Sequence, residues 1–297
     1  MDHHTLVVVS GASSQLGHFL LPRLVAAGYQ VVALSRQPPP AAESGALRWL
    51  RVDLTQPPAT LPGAEASYLL HLARLPLLPV LLPRLPRLKR VVAFSSTSVF
   101  CKADSPDPAE QALAASLAAA EQTLISHCQS QGVIWTLLRP TLIYGCGQDQ
   151  NVSFIARFIE RFGFFPLLGT ARGLRQPVHA DDLAQACLAV LDCEASYGKA
   201  YNLSGGETLS YRAMVTAIFQ GLGRKPRWLP LPAPVLQMGF ALLRVLPRYR
   251  HLSAAMLARM NQDLCFDHRL ASRDFGYRPR GFAPDRASLG FKPEPVR

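Results

Sequence analysis

Residues 5–35 read TLVVVSGASSQLGHFLLPRLVAAGYQVVALS, and the fold is decided there. Thr5–Ser10 is a short run of mostly apolar, β-branched residues without polar alternation, as expected of a strand buried on both faces of a parallel sheet. Gly11–Gly17 (GASSQLG) interrupts that run, and His18–Ala27 then carries apolar residues at helical spacing. Gly28 closes the helix, and Gln30–Ser35 is a second apolar run. Strand, glycine turn, helix and strand within about 30 residues form a βαβ unit with a right-handed crossover.

Outward from this unit the pattern repeats. Leu47–Leu54, Ser67–Ala73, Arg90–Ser96 and Val133–Leu138 read as further strands, with another near Tyr201–Leu203. Four prolines between Pro76 and Pro86 break a leucine-rich stretch into short helical pieces. Asp107, Pro108 and Glu110 have capping-box spacing ahead of a helix reaching about Ser130. A later helix, from Asp181 to about Asp192, is expected to be capped by Asp181 or Asp182. The fold class is α/β: a doubly wound parallel sheet with a small, mainly helical C-terminal region. Residues 1–204 form the nucleotide-binding part, with a substrate-side insertion around 145–176, and 205–297 form a substrate or lid region. A ligand is expected across the carboxyl ends of the strands.

Composition narrows the function classes. The chain has 297 residues, 49% of them hydrophobic, enough for a sizeable core and too many for a disordered chain. Its net charge of +11 favours anionic partners. The cations are dispersed, the densest group being Arg84, Arg87, Lys89 and Arg90, so nucleic acid is set aside in favour of a small anionic substrate. Six cysteines form no CxxC pair and no zinc-like cluster, pointing to free thiols in a reducing compartment and to no metal site. His179 with Asp181 and Asp182 reads as a helix start. The first strand begins near Thr5 and there is no apolar run of about 20 residues, so the expected location is cytoplasmic. Leu229–Met260 reads as a lid over the cleft, in preference to an interfacial helix on an acidic bilayer. A homodimer through flanking helices is left open.

A turn that grips a diphosphate needs small residues where the backbone approaches the anion, and helix amides aimed at it. Gly11 supplies the tight turn, Gly17 the helix–strand contact, and Ser14 the small middle position, with Ser13 and Ser14 as hydroxyl donors. The second strand ends in Ser35-Arg36 with no acid beside it, which favours NADP(H) over NAD(H). Otherwise Arg36 is a solvated charge or stacks on adenine. Asp53 is a candidate acceptor for the adenine amino group or a turn residue.

With GASSQLG, VDL (52–54), HLA (71–73), FSSTSVF (94–100), RPTLIYGCG (139–147), RQPVHADDLA (175–184) and YNLSGGETLS (201–210) in this order, the chain resembles the extended and atypical short-chain dehydrogenase/reductases, the NAD(P)-dependent nucleotide-sugar epimerase/dehydratase superfamily. The resemblance implies a cofactor loop of Gly11, Ser13, Ser14, Gln15, Leu16 and Gly17, an adenine pocket at Asp53 and Leu54, and a cofactor-ribose contact at Leu72 and Ala73. It also implies that Ser96 hydrogen-bonds the reacting oxygen and that Arg175 anchors an anionic, nucleotide-linked substrate.

Active members of that superfamily carry Tyr-x-x-x-Lys on the next helix. Counting back from AAAEQ (118–122), those positions hold Leu113 and Leu117, and no tyrosine lies between Tyr68 and Tyr144. Two readings follow. One is an oxidoreductase or epimerase-like enzyme with a relocated proton donor, Tyr144 first, with Lys102 and His71 behind it. The other is a non-catalytic cofactor-binding scaffold or redox sensor with a protein partner.

Overall fold

The computed structural model describes residues 5–37, 45–61, 63–232, 234 and 258–292. Six strands come first: β1 (Leu6–Ser10), β2 (Gln30–Ser35), β3 (Leu47–Arg51), β4 (Tyr68–His71), β5 (Arg90–Phe94) and β6 (Ile134–Pro140). Four short strands follow, β7 (Ile143–Tyr144), β8 (Phe165–Leu168), β9 (Leu174–Arg175) and β10 (Val178–His179), and then β11 (Lys199–Leu203). The first six and β11 make one sheet of seven strands in the order β11-β6-β5-β4-β1-β2-β3, every pairing parallel. Strand order reverses between β1 and β4, the place where such sheets leave a crevice at their carboxyl ends. The remaining strands, with β12 (Leu209–Ser210) and β13 (Trp228–Leu231), form two-stranded pairs: β7 with β10, β9 with β12, and β8 with β13.

Alternation along β1 assigns side chains to the two faces of the sheet. Val7 and Val9 pack with Leu20 and Leu24 of α1 (Gln15–Ala26), and with Leu183 of a later helix. Val8 faces the other way, toward Leu78 and Leu81 of α2 (Leu78–Leu81) and toward Leu117 and Leu124. The prolines of residues 76–83 hold the stretch around α2 as one short helix between two 3₁₀ turns, and its leucines are buried against the sheet. Next come α3 (Ser98–Cys101), α4 (Pro108–Gln131) and α5 (Val152–Phe162), then α6 (Ala180–Ala189), α7 (Tyr211–Gly221) and α8 (Arg269–Phe275). A third apolar cluster joins Ile155 and Ile159 of α5 to Met214 and Ile218 of α7 and to Phe282 and Leu289.

The starts of α1 and α6 differ from the sequence reading, and α4 keeps its cap but not its capping box. Helix α1 begins at Gln15 rather than His18, because the Ser14 hydroxyl accepts from Gly17 N at 3.3 Å and caps it. Asp107 caps α4 as read, accepting from Ala109 N at 3.0 Å, but Glu110 does not complete the capping box, since its carboxylate is held by other partners. Helix α6 is capped by His179, whose Nδ1 accepts from Asp181 N at 3.1 Å, while Asp181 and Asp182 both pair with Arg280. The stretch read as a lid falls for the most part on residues 233 and 235–257, outside the described residues.

Candidate functional site

The turn after β1 is set by the backbone. Gly11 has φ +71°, and a Cβ there would meet Ala73 N at 2.5 Å. At Gly17 a Cβ would meet the Ala12 carbonyl oxygen at 1.9 Å, so only glycine lets α1 start this close to the turn. Ser13 accepts a hydrogen bond from the Ser35 hydroxyl at 2.8 Å, tying the turn to the end of β2. Leu72 N donates to Ser10 O at 2.8 Å, and Leu16 is buried. The first amides of α1 have no intrahelical acceptor and face the end of the sheet, the usual environment for an anion. Beneath the turn His71 is fully buried, with Nδ1 at 2.7 Å from the Ser10 hydroxyl and Nε2 at 3.1 Å from Arg74 O. Burial pushes its pKa down to about 4, so near neutral pH it is an uncharged strut.

A hollow of 650 Å³ over Ser14, His18, Pro22 and Trp49 borders this turn on the α1 side, and two of less volume open from it as well. The smaller of those two, 390 Å³, is lined by Ser13, Ser35, Arg36, Gln37, Arg51 and Asp53. Asp53 is exposed and its Oδ1 accepts from Thr55 N at 2.9 Å and from the Thr55 hydroxyl at 2.8 Å. Those two bonds, with Arg36 nearby, hold its carboxyl below the usual range. Leu54 is buried in the core behind it. Arg51 was not anticipated: it comes level with Ser35 only through the register of β2 against β3.

The other, 420 Å³, is the cleft at the carboxyl ends of the strands, lined by Gln15, Ser96, Lys102, Arg175 and Arg259 among others. Gln15 Oε1 is buried and has no hydrogen-bond partner among the described residues. The Ser96 hydroxyl accepts from Ser98 N and donates to the Ser98 hydroxyl, each at 3.1 Å. Leu113 and Leu117 do not line the cleft; both pack into the core on the α2 side of the sheet.

Tyr144 and Arg175 differ from the expectations placed on them. Tyr144 is 1% exposed, outside the cleft lining, with its ring edge-on to His179 and Phe282. Burial pushes its phenol up to about 12, the wrong direction for a proton donor working near neutral pH. Arg175 borders the cleft, but its Nη1 donates to the carbonyls of Leu174 at 2.6 Å and Gln262 at 2.8 Å, and its Nη2 to that of Arg259. It braces the chain at 259–262.

The opposite wall turns on Glu110. Its carboxylate accepts from the Ser105 hydroxyl at 2.8 Å, pairs closely with Arg259 and lies 3.3 Å from Lys102 Nζ. Desolvation raises its pKa, but the bonds from Ser105 and Arg259 outweigh it and hold the group below its ordinary value. Lys102 and Arg259, which both line the cleft, thus share one carboxylate.

Residues 69–204 match the model of the NAD dependent epimerase/dehydratase family. A 2-alkyl-3-oxoalkanoate reductase of Stenotrophomonas maltophilia is 27% identical over 92% of this chain and 94% of its own length. An alpha-subcomplex subunit 9 of mitochondrial NADH dehydrogenase from Arabidopsis thaliana is 29% identical over 40% of this chain, which spans only 28% of that protein. Among solved structures, MoeE5 in complex with UDP-glucuronic acid and NAD superposes with a TM-score of 0.71 at 22% identity, over 96% of this chain and 97% of that one, a likeness of fold.

Proposed function

We propose that this chain, whose residues 69–204 match the model of the NAD dependent epimerase/dehydratase family, is a nicotinamide-dependent oxidoreductase or epimerase-like enzyme acting on an anionic alcohol or ketone, with a nucleotide-linked sugar as the leading substrate class. One observation carries the reading: Ser13 lines the smaller hollow and Gln15 the cleft, so a dinucleotide lying across the turn has one end in each. The unpartnered Gln15 side-chain oxygen Oε1 and the two guanidiniums at the smaller hollow suit such a ligand. When bound, the nicotinamide supplies hydride donation or acceptance.

Arg36 and Arg51 together suit a 2′-phosphate, which favours NADP(H) over NAD(H). In the cleft the Ser96 hydroxyl is placed to hydrogen-bond the reacting oxygen. Lys102 replaces Tyr144 as our candidate proton donor, a reading supported by its place in the cleft lining beside Glu110. Arg259 adds the second cation and takes over the anion-anchoring role first assigned to Arg175.

The test is steady-state turnover with NADPH and NADH against UDP-linked keto-sugars and against 2-alkyl-3-oxoalkanoates, the class named for the full-length relative. Turnover that disappears in Ser96→Ala and Lys102→Met while NADPH affinity holds supports the enzyme. The packing of Leu113 and Leu117 into the core favours a second reading, a non-catalytic scaffold or sensor. Saturable cofactor binding with no turnover in either panel would select it.

A further inference from the structure

We infer that the face built by the end of α5 with β8 and β13 docks on an anionic bilayer surface. Helix α5 stops at Phe162, and Gly163, with φ +75°, turns the chain there. Phe162 is left 46% exposed, Phe164 38% and Leu229 of the paired strand 47%. The Phe158 ring joins those of Phe162 and Phe164, its centroid 4.6 and 5.8 Å from theirs. Six large apolar side chains are exposed among the described residues, and three of them gather on this one face.

Cations frame the rings. The Arg161 guanidinium lies 5.5 Å from the Phe162 ring centre, and the Arg227 carbonyl accepts from Phe165 N at 2.9 Å, which sets Arg227 beside the same turn. Arg224, Lys225 and Arg227 are all exposed. Glu160 is the acid at this edge, and Arg224 at 3.0 Å and Arg286 at 3.6 Å pair with it. From Thr208 to Pro232 the chain has no Asp or Glu, against Arg212, Arg224, Lys225 and Arg227. Aromatic rings level with guanidinium and ammonium groups match a lipid interface, where rings enter the headgroup boundary and cations meet phosphates.

The full chain is sedimented with vesicles of phosphatidylglycerol and phosphatidylcholine, and with phosphatidylcholine alone. The wild type is expected to pellet with the anionic vesicles and to be released by 0.5 M salt, where the Debye length falls to about 4 Å. Phe162→Ser with Phe164→Ser, and separately Lys225→Glu with Arg227→Glu, are each expected to lower partitioning about tenfold or more. These side chains are exposed, and an unchanged thermal midpoint verifies that the variants fold. Equal pelleting with phosphatidylcholine, no pelleting, or variants that bind like the wild type would overturn the inference. So would a vesicle-free dimer in sedimentation velocity that the phenylalanine variant dissolves, which assigns the face to a second copy.

Discussion

The two walls of the cleft are held by different forces. On one side the turn after β1 is fixed by backbone: a positive φ at Gly11, a helix start pressed onto Ala12 at Gly17, and buried His71 beneath. On the other, Lys102, Glu110 and Arg259 are held by side-chain charge, with Glu110 and Arg259 149 positions apart in sequence. A backbone-built wall tolerates almost no added atom and ignores salt. A charge-built wall tolerates shape changes but responds to ionic strength.

The largest expected effect is on the backbone wall. Gly17→Val drives side-chain carbon into the Ala12 carbonyl and should cost about 4 kcal/mol in urea unfolding, with cofactor binding lost. A variant that stays within about 1 kcal/mol of wild type would break the contrast. Next is Leu117→Lys, at the position where the sequence resemblance implies the dyad lysine. It buries an ammonium in an apolar core and should cost about 3 kcal/mol without raising turnover. A gain in rate would show that this helix face still addresses the chemistry.

His71 sharpens the comparison through pH. Its folded pKa of about 4 lies below the ordinary 6.5, so the unfolded chain binds the extra proton. Its contribution is therefore complete above pH 6.5 and is lost as pH falls toward 4, by up to about 3 kcal/mol. Unfolding free energies measured from pH 7.5 to 4 should show this slope in the wild type and a flatter one in His71→Gln. Glu110, also held below its ordinary value, adds a further loss only below about pH 4.3. The smallest effect is Glu110→Gln, about 1.5 kcal/mol, because its partners keep some solvent. That loss should shrink in high salt, whereas the loss from Gly17→Val should not.

This contrast also explains what could be read from sequence. The β1–α1 unit and the Asp107 cap are local, so glycine spacing and capping chemistry announce them. Arg36 follows β2 directly, but Arg51 reaches the same hollow only through strand register, which no local pattern encodes. Arg175 looked like a free anchor because nothing near it in sequence reveals that Arg259 and Gln262 supply its acceptors. Tyr144 sits in the expected motif, yet its burial depends on Phe282, far along the chain. The acids at 181 and 182 read as caps of the helix, but both are drawn to Arg280, far along the chain, and His179 caps it instead.

The most direct check is calorimetric titration of NADPH and NADH into the wild type, Arg36→Ala and Arg51→Ala. If a dinucleotide lies across the turn with its 2′-phosphate between the two guanidiniums, the wild type saturates with NADPH, and each variant weakens NADPH about tenfold while leaving NADH unchanged. Absence of saturable binding by either dinucleotide, or variants that weaken both equally, would contradict the account.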